Sequence, residues 1–171
     1  TESVVSAVRV YVPRDAAALA VGADEVARAL AEQCAERGLS VQIVRNGSRG
    51  LLWLETLVEV ETGQGRVAYG PVQATDVAGL LDAGMLQGQA HALCHGLTAQ
   101  IPYLARQERL TFAHVGVIDP LSLADYEAHG GFEGLRQALA MDPAAIVDAV
   151  TESGLRGRGG AAFPTGIKWR T

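Results

Sequence analysis

The chain has 171 residues, a size that suits one domain or one small domain with an extension. Hydrophobic residues make up 49% and charged residues 19%, with a net charge of −5: enough to bury a core, with no run of about 18 apolar residues to span a membrane. The start, Thr1-Glu2-Ser3, is polar and lacks the basic stretch of a signal peptide. Cys34 and Cys94 are too few for a disulfide framework or a four-cysteine metal site, so a reduced, cytoplasmic setting is expected.

Val8 to Val12 is rich in β-branched residues and reads as a buried strand. Pro13-Arg14-Asp15 breaks it. Alanines then lead into a helix over 23–37, where Val26, Leu30 and Cys34 fall four apart in one apolar stripe and Gly38 follows as a C-cap. A second strand, Val41 to Val44, runs into the turn Asn46-Gly47-Ser48-Arg49-Gly50. Leu57-Val58-Glu59-Val60-Glu61 alternates strictly, and Gly63-Gln64-Gly65 turns it back into Arg66-Val67-Ala68-Tyr69 as a hairpin. A short helix over 75–83 completes the order β-α-β-β-β-α. That is a thioredoxin-like α/β arrangement, with strands 1 and 2 parallel and the hairpin antiparallel.

Residues 84–120 are less regular, and 110–117 reads as a short strand or an extended arm. Ser122-Leu123-Ala124-Asp125 resembles a capping box with Asp in place of Glu, and 132–140 reads as a helix. Asp142-Pro143 supplies an N-cap and an N1 proline for a helix over 143–153. That helix delivers the chain to its most informative stretch, Ser153 to Trp169, which holds five glycines, two arginines, one lysine and no acid. Glycines let backbone N–H groups turn toward a bound phosphate, and the cations neutralise it. Residues 154–171 carry four bases and no acid, leaving 10 bases against 19 acids in the rest of the chain. An acidic body with a basic Gly-rich tail argues for a local anion site and against general nucleic-acid binding.

An isolated Arg-Gly-Arg-Gly-Gly also reads as a flexible surface loop or an RNA contact, but RNA-binding tracts of this kind repeat and are disordered. Here the motif occurs once, inside a folded pattern, and Phe163-Pro164-Thr165-Gly166 follows at once. Thr165 is expected to N-cap a helix that begins at Gly166 and points its positive end at the glycines. The pattern is neither a Walker A loop nor a Rossmann Gly-x-Gly-x-x-Gly.

Ser153 to Trp169 resembles the flavin-binding signature of the NADH-oxidising flavoprotein subunits of complex I, NAD-reducing hydrogenases and NAD-dependent formate dehydrogenases. The usual string, GLRGRGGAGFPTGLKW, is departed from only at Ala162, where glycine is usual, and at Ile167, where leucine is usual. The alanine narrows backbone freedom beside the flavin. The resemblance implies that Gly157, Arg158, Gly159 and Gly160 surround the FMN phosphate, that Lys168 reaches the flavin, and that Phe163 lies where the nicotinamide stacks. The family's acidic segment, its second Gly-rich loop and its four cluster-binding cysteines are not among these residues. Its [4Fe–4S] cluster is therefore expected in a continuation of the chain.

The first hundred residues resemble the thioredoxin-like iron–sulfur domain that partners such flavoproteins. Of its four cysteine positions, the first pair falls on Pro13 and Ala18 and the second on Ser48 and Leu52. A [2Fe–2S] cluster needs four ligands, so this domain is expected to be cluster-free and structural. A degenerate, fused domain of this kind resembles the beta (diaphorase) subunit of soluble, molybdenum-containing formate dehydrogenases, as do Ile101-Pro102-Tyr103, Gln107-Glu108-Arg109-Leu110 and Asp119-Pro120-Leu121-Ser122-Leu123. The resemblance implies a thioredoxin-like domain over 1–98, a connector over 99–141 and the start of an FMN- and NADH-binding domain over 142–171. It also implies an iron–sulfur gamma-type subunit and a molybdenum-containing alpha subunit as partners. Electrons would pass between NAD(H), FMN and iron–sulfur clusters, with neither nucleic acid nor membrane involved.

A diaphorase subunit of a hydrogenase or of complex I is the alternative within this class. A non-catalytic thioredoxin-like interaction module is the alternative outside it, and flavin retention separates the two. A thiol-redox protein is disfavoured because no Cys-x-x-Cys exists. No general acid or base is evident, as befits hydride transfer. His91, Cys94 and His95 lie close in sequence, but with no second group of ligands they are expected to be packing or surface residues, and no metal ligand is assigned. Cys34 is expected in the core. His114 and His129 have no inferable role. Trp53 is expected to pack near the emptied cluster position, with Trp169 a possible cofactor platform. Glu55, Glu59 and Glu61 read as a solvated strand edge.

Overall fold

In the computed structural model, which describes residues 7–171, the first β-branched run forms β1 (Val8–Tyr11). Thr1-Glu2-Ser3 lies outside the described residues. Asp15 caps the single turn α1 (Ala16–Leu19) through the Ala18 N–H, and α2 (Ala23–Glu36) carries the expected stripe. β2 (Val41–Val44) pairs with β1 in parallel. β3 (Val58–Thr62) and β4 (Gly65–Tyr69) form the antiparallel hairpin across Gly63-Gln64, and β3 also pairs antiparallel with β1. After α3 (Val77–Asp82) comes β5 (Cys94–Leu97), which extends the sheet to the order β2-β1-β3-β4-β5. A parallel βαβ unit joined to an antiparallel hairpin makes this a thioredoxin-like α/β fold, as the order of elements predicts.

Side chains alternate across the sheet, so each face has its own core. Val26, Leu30 and Cys34 of α2 meet Val10, Val58, Val60 and Val67 on one face, joined by Val77 and Leu80. Burial pushes the Cys34 thiol above its ordinary pKa, consistent with a packing role. On the other face a smaller cluster gathers Leu51, Leu54, Leu57, Ala68 and Ile101.

β5 has no counterpart in the sequence reading. It is four residues long, contains Gly96 at φ +71°, and faces a register shift at Ala68/Tyr69. Its pairing to β4, not any alternation of its own, makes it a strand. Residues 110–117 form neither a strand nor an extended arm. They fold as successive turns, with Val115 N–H bonded to Phe112 O and Val117 N–H to His114 O.

The chain divides into two compact units, one through Tyr126 and one from Glu127 to Thr171. After α4 (Pro102–Ala105), the box at Ser122 forms by half. Asp125 N–H donates to Ser122 Oγ, but the Asp125 carboxylate accepts from Asp119 N–H. α5 (Leu123–Ala128) and α6 (Glu133–Leu139) are short. α7 (Pro143–Glu152) starts as predicted, with Asp142 Oδ1 accepting from Ala145 N–H at 3.0 Å. α8 (Thr165–Arg170) follows the Gly-rich loop. No helix among the described residues is long and apolar enough to cross a membrane.

Candidate functional site

The Gly-rich loop leaves α7 at Ser153, turns at Gly154 and returns as a small hairpin. Gly157 N–H donates to Phe163 O at 2.9 Å, and Thr165 N–H donates to Leu155 O at 2.9 Å. These two bonds pair Arg156 with Pro164 and leave residues 158–162 as an exposed tip. Gly157, Arg158, Gly159 and Gly160 are thus brought onto one short excursion of the chain. Phe163 lies exposed on its return limb and Lys168 exposed one turn into α8.

Among the described residues, the N–H groups of residues 158–163 donate to no acceptor within the chain. The Arg158 and Lys168 side chains likewise make no ion pair or hydrogen bond there. A stretch of uncommitted N–H donors with an uncommitted guanidinium suits an anion with several acceptor oxygens, such as a phosphate monoester. The residues present therefore fit the phosphate of FMN.

The expectation for Thr165 is corrected. Thr165 is the first residue of α8, Pro164 occupies the N-cap, and no side chain caps that end. A proline carbonyl can start the helix, and the Thr165 N–H is already committed to Leu155 O, so the hydroxyl is not required there. What anchors α8 is Gly166, buried against Thr151 of α7. Arg170 also pairs with Asp148 across the two helices.

The position expected to have lost a cluster lies in the first unit. Pro13, Ala18 and Ser48 are buried, whereas Leu52 is 62% exposed. The Ser48 hydroxyl donates to Glu55 Oε1 at 2.6 Å and accepts from Gly50 N–H, while Ser48 N–H donates to Asp15 Oδ2 at 2.7 Å. Ser48 is fully committed, and none of the four side chains carries a thiol. These residues do not fit a [2Fe–2S] cluster. Trp53 departs from its expected packing: it is 60% exposed and stands edge-on to Tyr103, with ring centroids 5.1 Å apart. A cavity of about 590 Å³ opens beside this place, bordered among others by Asp15, Ser48, Leu52, Leu110 and Phe112.

The solvated edge expected for Glu55, Glu59 and Glu61 is overturned at two of the three. Glu55 precedes β3 and is buried, and the face of β3 that carries Glu59 is covered by Arg49, Arg66 and the 109–117 turns. Glu59 is 1% exposed and is held by Arg49 Nε and Nη2 at 2.7 and 2.9 Å and by Arg66 Nη1 at 3.2 Å. Arg66 stacks over Tyr11 at 3.4 Å and donates to the carbonyls of Gly116 and Val117. Asn46 Nδ2 also donates to Gly116 O, and Arg109 donates to Arg49 O, so the turns around 109–117 are strapped across this face. Glu61 remains exposed, accepting from the Tyr11 hydroxyl.

Glu55 is 6% exposed, and burial raises its pKa against the opposing pull of the Ser48 hydroxyl and the Leu57 N–H. The Asp15 and Glu59 carboxylates push the same way as burial. A raised folded-state pKa means that its stabilising contribution is complete below the unfolded value and is lost as pH rises through the folded one. Glu55→Gln removes this titration. Urea denaturation should therefore favour the glutamine variant progressively over the parent between pH 4 and pH 7. A difference constant across that interval would mean that Glu55 has no raised pKa.

Of the remaining candidates, His95 Nε2 contacts Gly70 O at 2.8 Å and His91 Nδ1 accepts from Leu93 N–H, both backbone-bracing roles. Among the described residues, no group of three or more His, Cys, Asp or Glu is arranged to hold a metal ion.

Comparison with known proteins places homologues of the chain among large redox subunits. It is 58% identical over 64 residues to the NADP-reducing hydrogenase subunit HndC of Solidesulfovibrio fructosivorans, covering 37% of this chain and 13% of that protein. It is 64% identical over 45 residues to an NADH-quinone oxidoreductase subunit of Streptomyces coelicolor, covering 26% of this chain and 10% of that protein. The chain thus matches only about a tenth of the length of these relatives. No family model matches. Among solved structures, the thioredoxin-like [2Fe-2S] ferredoxin of Aquifex aeolicus aligns with a TM-score of 0.44 and 20% identity, covering 53% of this chain and 98% of the ferredoxin.

Proposed function

We propose that this chain is part of an FMN-dependent, NAD(H)-handling diaphorase subunit of a multi-subunit oxidoreductase. The observation that carries the reading is the exposed tip 158–162, with its uncommitted N–H groups beside the uncommitted Arg158 guanidinium. Homology to subunits named for NADH and NADP chemistry supports it. In this reading Gly157, Arg158, Gly159 and Gly160 enclose the FMN phosphate, Lys168 approaches the flavin, and Phe163 gives the nicotinamide a stacking face. FMN, when bound, supplies the hydride acceptor and the means of passing electrons on singly. The protein's share is to fix the phosphate, orient the rings and shield them from water.

The division into a thioredoxin-like domain over 1–98, a connector over 99–141 and the start of a flavin domain over 142–171 belongs to the same proposal. So do a cluster-free first domain, a [4Fe–4S] cluster elsewhere in the protein and a cytoplasmic location. Among possible assemblies we favour a molybdenum-containing, NAD-dependent formate dehydrogenase with its gamma-type and alpha subunits. The reason is the degenerate fused first domain, with Pro13, Ala18, Ser48 and Leu52 where thiolates would stand. The cavity beside Leu52 and its exposed neighbours Leu110 and Phe112 favours a second reading for that first unit, a docking module without chemistry of its own.

An absorption spectrum of the intact protein before and after NADH tests the assignment. Flavin and iron–sulfur bands that bleach with NADH are expected, and a featureless spectrum from reconstituted protein would leave only the docking module. Arg158→Ala should weaken FMN binding about tenfold or more, through loss of a charge-assisted phosphate contact. Unchanged flavin content at low FMN would remove Arg158 from the site. Stoichiometric iron bound by residues 1–150 would overturn the cluster-free first domain.

A further inference from the structure

Arg156 and Arg158 look equivalent in the sequence, as two cations two residues apart beside a phosphate site. Their surroundings separate them. Arg158 rides on the exposed tip with no partner, while Arg156 sits at the tip's base, in the hairpin pair with Pro164. There its Nη1 donates across the loop to the carbonyl of Ala162 at 3.2 Å.

Ala162 is one of two non-glycine residues with positive φ among the described residues, at φ +50°. Alanine disfavours this left-handed region and stays there only where the surroundings hold it. Gly160 also has positive φ, at +103°, and Ala161 between them does not. Alternation of this kind turns successive N–H groups to one side and makes an anion-binding concavity. The bonds that fix this shape are the two backbone bonds of the hairpin and the Arg156 contact.

We propose that Arg156 is a positioning residue. It does not touch the bound anion but holds Ala162, and with it the 158–162 tip, in the shape that receives a phosphate. The assignment rests on the FMN reading for its ligand, while the holding of the loop can be read without one.

The two arginines then differ in two measurable ways. In the intact protein stripped of flavin and titrated with FMN, Arg156→Met should weaken binding about fivefold to tenfold. That loss should persist at high salt, whereas the Arg158→Met loss should shrink as salt screens it. Glycine adopts left-handed φ at no steric cost, so Ala162→Gly should recover most of the FMN affinity lost in Arg156→Met and none of that lost in Arg158→Met. Riboflavin, which lacks the phosphate, should bind all of these variants alike.

Independently of flavin, exchange of the Gly157 amide, bonded to Phe163 O, should accelerate several-fold in Arg156→Met. An Arg156→Met loss that fades with salt and is not recovered by Ala162→Gly would make Arg156 a phosphate ligand and overturn the proposal, as would no loss at all. If the parent protein binds no FMN, the diaphorase reading falls. The Gly157 amide then decides the holding role alone: faster exchange sustains it and unchanged exchange overturns it.

Discussion

Glu59→Gln is expected to destabilise the first unit by about 3 kcal/mol, because it leaves two largely covered guanidinium groups without their shared counter-charge. Hydrogen exchange of the β3 and β4 amides would read the loss locally, and urea denaturation followed by circular dichroism would read it globally. Glu61→Gln, on the same strand but exposed, should cost no more than about 1 kcal/mol. Replacing Arg49, Glu59 and Arg66 together by apolar residues of similar size should recover much of the Glu59→Gln loss, because no buried charge is then unpaired. Equal effects at Glu59 and Glu61 would mean that the Arg49–Glu59–Arg66 group is not buried as described. The same group straps the 109–117 turns over β3, so those turns should loosen together with the strand.

Gly166→Ala is expected to detach α8 from α7. A β-carbon at Gly166 would stand 2.6 Å from Thr151 Cα and 2.7 Å from Thr151 N, distances that no real side chain tolerates. Backbone atoms cannot rotate away, so the helices must separate, at a cost of about 3 kcal/mol. Because the loop is closed between these two helices, FMN affinity should fall with it. Exchange of the Lys168 amide, bonded to Pro164 O, should accelerate. Thr151→Ala removes the side-chain hydroxyl and methyl but leaves Cα and N in place, so it should not rescue the variant. Gly159→Ala meets open space and should alter stability by no more than about 0.5 kcal/mol, whatever it does to the flavin. A fully stable Gly166→Ala protein with normal flavin content would show that the two helices do not need this close approach.

Much of the candidate site was legible before the fold. The composition of the run from Ser153 to Trp169 points to a loop suited to an anion, and the structure leaves the N–H groups of residues 158–163 uncommitted. What the composition did not declare is the division of labour between Arg156 and Arg158. That difference lies in a contact across the loop to Ala162, and no spacing along the chain encodes it. Gly166 was legible as a glycine but not as the point where two helices touch, for the same reason.

The sequence by itself determined the elements whose causes are local. The four-residue stripe of α2, the two-residue turn between β3 and β4, and the Asp142 cap with its N1 proline each act within one or two turns of chain. Only the tertiary structure decided what covers what. β5 exists because β4 offers an edge, and Glu59 is buried because Arg49, Arg66 and the 109–117 turns cross its face. Asn46 and Gly116, which help close that face, are 70 residues apart. Alternation fixes which side of a strand a carboxylate occupies, whereas its solvation depends on what distant chain arrives there. The same glutamate pattern therefore yields one exposed and one buried charge on a single strand.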